Sequence, residues 1–217
     1  MQKNIIKIIK VLMKSTKGFT TPSVTQIKKE LEDPFKVLVS CIMSLRTKDE
    51  VTYPTSMKLF KVAKTPKQIA NMPLAKLKKI IRPVNYYKTK AERIKKISKQ
   101  IVKDYKGKVP DDFDELMKFK GVGRKTANIV VTYGFGKEGI AVDTHVHRIS
   151  NRLGWVKTKA PEKTEFALRK NVPKKYWYWV NELFVRHGQN TCRPISPFCS
   201  KCPIEKYCPK IGVKKKR

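Results

Sequence analysis

The C-terminal part of the chain contains four closely spaced cysteines, and no other feature constrains the fold as much. Gaps of six, two and five residues separate Cys192, Cys199, Cys202 and Cys208. Disulfides are uncommon inside cells, and structural zinc sites typically use two close pairs separated by a longer loop. Only one gap here has zinc-like spacing, so the pattern favours a [4Fe–4S] cluster, which needs one sulfur for each iron. A zinc ion, and disulfides or unligated thiols, remain as alternatives.

The chain also carries a large excess of positive charge. Its 217 residues include 50 Lys and Arg against 17 Asp and Glu, which gives a formal net charge of +33. A lysine-rich thermophile surface is the alternative explanation, but it predicts abundant glutamate beside the lysine. The excess therefore indicates a polyanionic partner, with nucleic acid as the first candidate.

The N-terminal segment from Met1 to Lys14 has an apolar stretch that is interrupted by Lys7 and Lys10 and consists of Ile5, Ile6, Ile8, Ile9, Val11 and Leu12. The apolar core of a signal peptide would be continuous, and no segment approaches the roughly 18 uncharged apolar residues of a membrane span. The segment predicts an amphipathic first helix in a soluble, intracellular protein that has no membrane partner.

The rest of the pattern is helical almost throughout, which predicts an all-α fold. Asp33-Pro34 opens a strongly apolar helix, and Cys41 lies on its apolar stripe, which indicates a core residue and not a ligand. Residues 214–217 predict a frayed basic tail. Further helices are predicted over 22–32, 49–62, 66–71, 74–82, 89–105, 111–118, 124–134, 144–154, 162–170 and 175–187.

A second informative segment joins a short amphipathic helix to a second helix through Gly121-Val122-Gly123. Glycines permit a tight turn and leave backbone N–H groups unobstructed, and the start of the second helix adds partial positive charge. The turn therefore predicts a phosphate-binding hairpin without sequence preference, with an ordinary helix–helix turn as the alternative. Four basic residues surround it: Lys118, Lys120, Arg124 and Lys125.

With both segments in view, the chain resembles the endonuclease III family of helix–hairpin–helix DNA glycosylases. The resemblance rests on the hairpin L-x-x-x-G-V-G-R-K-T-A-N, the segment Val142-Asp143-Thr144-His145 and the terminal C-x6-C-x2-C-x5-C, in order and over essentially the whole chain. It implies a base-excision repair enzyme that flips an oxidised pyrimidine of the thymine glycol type out of double-stranded damaged DNA. It also implies a monomer in the cytoplasm of a prokaryote, associated with the nucleoid.

The resemblance assigns catalytic roles to Lys125 and Asp143. The Lys125 amine would attack C1′, expel the base and form a Schiff base that permits β-elimination 3′ to the abasic site, so that one enzyme is both N-glycosylase and AP lyase. Taken alone, Asp143 is a good N-cap for a helix that begins at Thr144. In the family, the carboxylate at this position also stabilises the oxocarbenium-like sugar.

The resemblance further implies DNA contacts around the lesion and the hairpin. Residues 44–49 correspond to the loop that the family places near the lesion, and Arg46 stands where many members have Gln. An arginine there would fill the gap left by the flipped base through stacking and hydrogen bonds. The other implied DNA-binding residues are Lys120, Gly121, Gly123, Arg124 and His145.

The implied architecture is two all-α domains with the DNA cleft between them. A helical barrel over 29–138 would contain the hairpin, and residues 1–28 would join 139–217 in a domain that holds the cluster, mainly as a structural group. Lys125 and Asp143 would face each other across the cleft. Mismatch glycosylases of the same superfamily typically replace the hairpin lysine, and a non-catalytic hairpin protein would need neither Lys125 nor Asp143.

Overall fold

The structure, a computed structural model, describes residues 2–217, with side chains from Asn4 onward. No residue in this range is in a β-strand, so the predicted all-α fold is confirmed. Met1, which the predicted first helix included, lies outside the described residues. The α-helices are α1 (Gln2–Ser15), α2 (Ser23–Leu31), α3 (Pro34–Ser44), α4 (Asp49–Val62), α5 (Pro66–Asn71), α6 (Leu74–Ile80), α7 (Tyr87–Asp104), α8 (Phe113–Met117), α9 (Arg124–Ile129), α10 (Thr144–Arg152), α11 (Pro161–Asn171) and α12 (Trp177–Asn190).

The chain divides into two compact units. The internal unit is Ser23–Lys137, and the terminal unit combines the segment that ends at Pro22 with Glu138–Arg217. The first boundary lies six residues before the predicted one at 28/29. The reason is that α2 packs on α3 and α4 and buries Val24 and Ile27 there.

Helix α3 is the central element of the internal unit. It contacts α2, α4, α7 and α9, and all of its residues from Val37 to Met43 are buried. Its start is fixed locally, because the Asp33 carboxylate accepts hydrogen bonds from the backbone N–H groups of Phe35 (2.8 Å) and Lys36 (3.2 Å). Cys41 is buried in this core, and burial raises the pKa of its thiol to about 12. The prediction that Cys41 is a core residue is therefore confirmed.

The helix predicted over 124–134 changes its hydrogen bonding part of the way along. It is α-helical to Ile129 and π-helical over Val130–Gly134. The π turn ends against the start of α3, where a Cβ atom at Gly134 would lie 3.0 Å from the Cβ of Pro34. This close approach favours glycine, and it depends on a contact that the local sequence does not reveal.

The terminal unit has its own core, in which α1 packs on α12. Ile5, Ile8, Ile9 and Leu12 are all buried, so the predicted amphipathic first helix is confirmed. Arg186 of α12 is hydrogen-bonded to the segment that follows α1. Its guanidinium donates hydrogen bonds to the Thr16 carbonyl (3.2 Å) and the Thr21 hydroxyl (2.9 Å).

The frayed C-terminal tail that the sequence predicts is not observed. The backbone N–H of Arg217 donates to the Pro197 carbonyl (2.8 Å), and the Arg217 carbonyl accepts from Ser200 (3.0 Å). The Arg217 guanidinium also stacks 4.2 Å from the centre of the Phe198 ring. The tail is therefore fastened to the cysteine-containing loop. None of the helices in residues 2–217 has the length and apolar character needed to span a bilayer.

Candidate functional site

The glycine hairpin lies in the internal unit, between α8 and α9. The Val122 N–H donates to the Phe119 carbonyl at 2.9 Å and closes the turn. Gly123 is the N-cap residue of α9, so no side chain caps that helix. The exposed glycines therefore leave the start of α9 accessible to an external acceptor such as a phosphate oxygen.

The two hairpin glycines are needed for different reasons. Gly121 has a φ of +90°, and a Cβ atom there would overlap the guanidinium end of Arg93. Gly123 has an ordinary φ of −100°, and a Cβ there would meet no atom within 4 Å. Gly121 is thus required by the fold, whereas Gly123 has room for a side chain in the protein alone.

Four basic residues around the hairpin differ in their environment. Lys125 is half-buried in the first turn of α9. Its positive charge lowers the pKa of the Cys41 thiol in the core, against the larger upward effect of burial. Arg124 stacks 4.8 Å from the centre of the Phe113 ring. Lys120 is exposed, and Lys118 is paired with Glu115 at 2.5 Å. Lys118 therefore already has an anionic partner within the protein.

The loop that follows α3 contains Arg46, whose side chain is exposed and whose φ is +53°. Left-handed backbone is unfavourable for a non-glycine residue and persists only where the surroundings fix it. Asn85 helps to hold this conformation, because its side-chain amide donates a hydrogen bond to the Arg46 carbonyl at 2.6 Å. The next residue, Tyr86, is also left-handed (φ +58°) and is 63% exposed.

Sequence reasoning missed Tyr86 and also Lys90. An exposed aromatic ring in a basic protein is a signal for base stacking, but the exposure of Tyr86 is visible only in the structure. Lys90 carried no such signal, because one buried lysine cannot be distinguished among 50 basic residues. It is only 3% exposed; burial and then the charge of Arg93 lower its pKa to about 8.

Asp143 lies in the terminal unit at the start of α10. Its carboxylate accepts a hydrogen bond from the Val146 N–H at 2.8 Å, which confirms the predicted N-cap. His145 follows, and its Nδ1 lies 3.0 Å from the Arg148 guanidinium. A guanidinium can only donate, so His145 accepts at Nδ1 and carries its proton on Nε2. Gly188 makes room for this ring, since a Cβ there would overlap it.

The four predicted cysteine ligands line one cavity in the terminal unit. Ile149, Leu153 and Ile204 form apolar parts of its wall. Burial raises the pKa of Cys202 to about 11, with further upward contributions from the other three cysteines. In the described part of the chain, no three His, Cys, Asp or Glu side chains converge closely enough to hold a single metal ion. The cysteines therefore share a cavity wall and do not converge on one point.

Two polar side chains approach the cysteine sulfurs. Arg152 of α10 lies 3.3 Å from the Cys192 sulfur and donates to the carbonyls of Arg193 and Pro194, both at 2.7 Å. His187 of α12 is buried with Nε2 3.8 Å from the Cys202 sulfur, and burial lowers its pKa to about 4. The cysteine sulfurs therefore lie beside one cation, the Arg152 guanidinium, and one neutral ring, the His187 imidazole.

The basic residues near the cysteines are only partly free to meet a DNA backbone. Lys201 and Lys206 are exposed. Lys210, in the same segment, forms an ion pair with Glu205 at 2.7 Å. Arg193 is exposed but stacks 5.0 Å from the centre of the Phe198 ring.

The structure assigns the predicted site residues to both units. Arg46, Lys120, Gly121, Gly123, Arg124 and Lys125 belong to the internal unit. Asp143, His145 and the four cysteines belong to the terminal unit.

Comparisons with known proteins agree with these features. Residues 39–174 match the model of the HhH-GPD superfamily base excision DNA repair proteins. The chain is 50% identical to an endonuclease III of Thermotoga maritima over 81% of this chain and 83% of that protein. A solved non-covalent endonuclease III–DNA complex has a TM-score of 0.85 at 33% identity, and covers 97% of this chain and 96% of that chain. A trapped endonuclease III–DNA covalent intermediate has a TM-score of 0.77 at 37% identity, with coverages of 82% and 84%.

Proposed function

Because the chain belongs to the HhH-GPD superfamily of base excision DNA repair proteins, we propose that it is a bifunctional DNA N-glycosylase and AP lyase. Its proposed substrate is double-stranded DNA that contains an oxidised pyrimidine of the thymine glycol type. The observation that carries the proposal is the place of Lys125, in the first turn of the helix that follows the glycine hairpin. We expect the enzyme to act as a monomer at the nucleoid of a prokaryotic cell.

In the proposed reaction, the Lys125 amine attacks C1′ of the damaged nucleotide while the bond from C1′ to the base breaks. The amine loses its proton, and the departing base gains one. The C1′–O4′ bond then breaks, O4′ gains a proton and the sugar ring opens, which leaves a Schiff base between C1′ and the amine. This Schiff base acidifies the C2′ position, so that loss of a C2′ proton expels the 3′ phosphate. The Asp143 carboxylate, held in direction by its capping bond to Val146, would stabilise positive charge on the sugar and assist these proton transfers.

Recognition is proposed to combine backbone contacts with occupation of the space that the flipped base leaves. The hairpin glycines, Lys120 and Arg124 would hold phosphates without reading sequence. Arg46 and Tyr86 present an exposed guanidinium and an exposed ring from neighbouring left-handed residues. Such groups can stack on unpaired bases. His145, with its proton on Nε2, would donate a hydrogen bond to the DNA.

We propose that Cys192, Cys199, Cys202 and Cys208 hold one [4Fe–4S] cluster. The donor set fits, because four sulfurs around one cavity suit a cube better than a single ion. A cysteine-ligated cluster is anionic, and the Arg152 guanidinium 3.3 Å from Cys192 supplies compensating charge. When bound, the cluster would cross-link the C-terminal loop. The chain's own contribution is to hold that loop to α10 and α12.

Borohydride trapping tests the proposed nucleophile. Lys125→Gln removes the amine but preserves length and polarity, so duplex DNA should still bind while covalent trapping on an abasic-site duplex disappears. Loss of a nucleophile should slow the reaction by several factors of ten, each of which corresponds to about 1.4 kcal/mol. Lys120→Gln is the matched control, since it removes an exposed lysine of the same hairpin and should retain trapping. Near-normal trapping by Lys125→Gln would assign the nucleophile to another lysine.

A further inference from the structure

The buried ammonium of Lys90 has all of its donors engaged by one loop. Its Nζ donates to the Met43 carbonyl (2.7 Å), the Leu45 carbonyl (2.6 Å) and the Thr47 hydroxyl (2.9 Å). These acceptors lie where α3 ends, and backbone carbonyls at a helix C-terminus have lost their helical partners. An ammonium has three N–H donors, so the end of α3 and the loop after it use the full capacity of Lys90.

The same loop is joined to the start of α7 by a second set of bonds. The Asn85 side chain donates to the Arg46 carbonyl at 2.6 Å, and the Asn85 N–H donates to the Thr47 hydroxyl at 3.1 Å. The Thr47 hydroxyl therefore meets both Asn85 and Lys90. The network is flanked by Arg46 and Tyr86, the two left-handed residues whose side chains are exposed. Left-handed backbone at such residues requires a surrounding structure that over-determines it.

We propose that Lys90 is a positioning residue for lesion recognition, which holds the 43–47 loop against the start of α7 so that Arg46 and Tyr86 are presented to DNA as one unit. This rests on the proposed function, in which Arg46 and Tyr86 occupy the space left by the flipped base. Lys90 acts only through them, since its buried ammonium has no surface to offer a ligand. A hydrophobic side chain would fill the same space without the cost of burying a charge.

Helix α7 also supplies a matched control. Lys95, one turn further along, donates to the carbonyls of Ala70 (3.0 Å) and Met72 at the end of α5. It therefore makes the same kind of contact between an ammonium and carbonyls, but at a segment that contains none of the proposed DNA-binding residues. Lys90→Met and Lys95→Met each remove such a contact from the same helix. The first variant frees the 43–47 loop, and the second frees the end of α5.

The test compares binding to an undamaged duplex and to a duplex that contains a tetrahydrofuran abasic analogue, which no lyase can cleave. Lys90→Met should keep its affinity for undamaged DNA, because the hairpin is unchanged, and should lose about 10- to 100-fold in preference for the analogue, as misplaced contact groups typically do. Lys95→Met should keep the preference. Equal losses in the two variants, or no loss in Lys90→Met, would overturn the inference.

A double-mutant cycle separates positioning from general stability. Removing both recognition side chains, as Arg46→Ala with Tyr86→Ala, should abolish the preference, and adding Lys90→Met to that background should cost little more. Residues that act as one unit are non-additive in this way. Fully additive losses would show that Lys90 does not act through this pair. If Arg46→Ala with Tyr86→Ala itself has no effect, the proposed recognition role fails, which is a different outcome from failure of the Lys90 inference.

Discussion

At the scale of single residues, the hairpin glycines illustrate how one sequence motif combines two requirements. Gly121 is needed because its backbone is left-handed and Arg93 lies against it, whereas Gly123 has free space around its Cα. The sequence predicts the same effect for alanine at either position. The structure shows that only alanine at 121 conflicts with the protein itself.

We expect Gly121→Ala and Gly123→Ala to weaken binding of damaged and undamaged duplex alike, but with different effects on stability. Alanine at 121 is incompatible with positive φ and should lower the free energy of unfolding by about 1 kcal/mol or more. Alanine at 123 should leave that free energy nearly unchanged, because only an incoming phosphate would meet its methyl group. Thermal unfolding and filter binding measure the two effects. Unchanged DNA affinity in Gly123→Ala would contradict a phosphate contact at this turn.

Asp143 combines a structural role with a proposed chemical one, and substitutions can separate them. Asp143→Asn keeps an oxygen that can accept the Val146 N–H, so α10 should persist while base excision slows greatly. Asp143→Ala should in addition cost about 1 kcal/mol of stability through loss of the cap. Circular dichroism with temperature and single-turnover excision on a thymine glycol duplex distinguish these outcomes. Normal excision by Asp143→Asn would remove the carboxylate from the mechanism.

At the scale of elements, α10 connects the proposed catalytic carboxylate with the cysteine cavity. Asp143 caps its N-terminus, while Arg148 donates to the carbonyl of Cys192 at 2.9 Å and Arg152 lies beside the Cys192 sulfur. One short helix therefore carries groups for both sites.

Arg152→Gln should therefore weaken retention of the proposed cluster. Partners of metal ligands typically change metal affinity by about 10- to 100-fold, so iron should be lost to a chelator at least about tenfold faster than from the unmodified protein. Arg217→Gln is the control, because Arg217 contacts Ser196 and Phe198 of the same loop but no cysteine sulfur. Absorbance near roughly 400 nm and iron content, about four per chain for a cubane, measure the result. Zinc in place of iron in the purified protein would overturn the cluster proposal.

At the scale of the whole molecule, the net charge of +33 dominates the interaction with any polyanion. Most of the 50 basic side chains cannot be neutralised by ion pairs within the protein, because only 17 acidic residues are present. The affinity for undamaged duplex should accordingly fall steeply with salt, with a log–log slope of about −0.9 for each neutralised phosphate. Lys120→Gln should make that slope shallower by about 0.9 if Lys120 contacts one phosphate. A flat salt dependence of the unmodified protein would contradict backbone-dominated binding.

Features that depend on near neighbours or on spacing can be predicted from the sequence alone. The Asp33 and Asp143 side chains accept capping hydrogen bonds from N–H groups two or three residues away. The amphipathic pattern of α1 predicts which face of that helix is buried. The same holds for the helical class, the hairpin and the cysteine spacing. Local capping and periodicity act within one helical turn, so they are visible without the fold.

Features that join residues far apart in the sequence become visible only in the folded structure. The contacts of Lys90 to Met43 and of Asn85 to Arg46 span 47 and 39 positions, and no local pattern identifies such partners. The same reason applies to Arg217, which the sequence predicts to lie in a frayed tail but which is hydrogen-bonded to Pro197 and Ser200. It also applies to the first unit boundary, which lies at Pro22 and not at 28/29 because α2 packs on α3. Which lysine is buried and which residue tolerates a left-handed backbone depend on the surroundings that folding brings together.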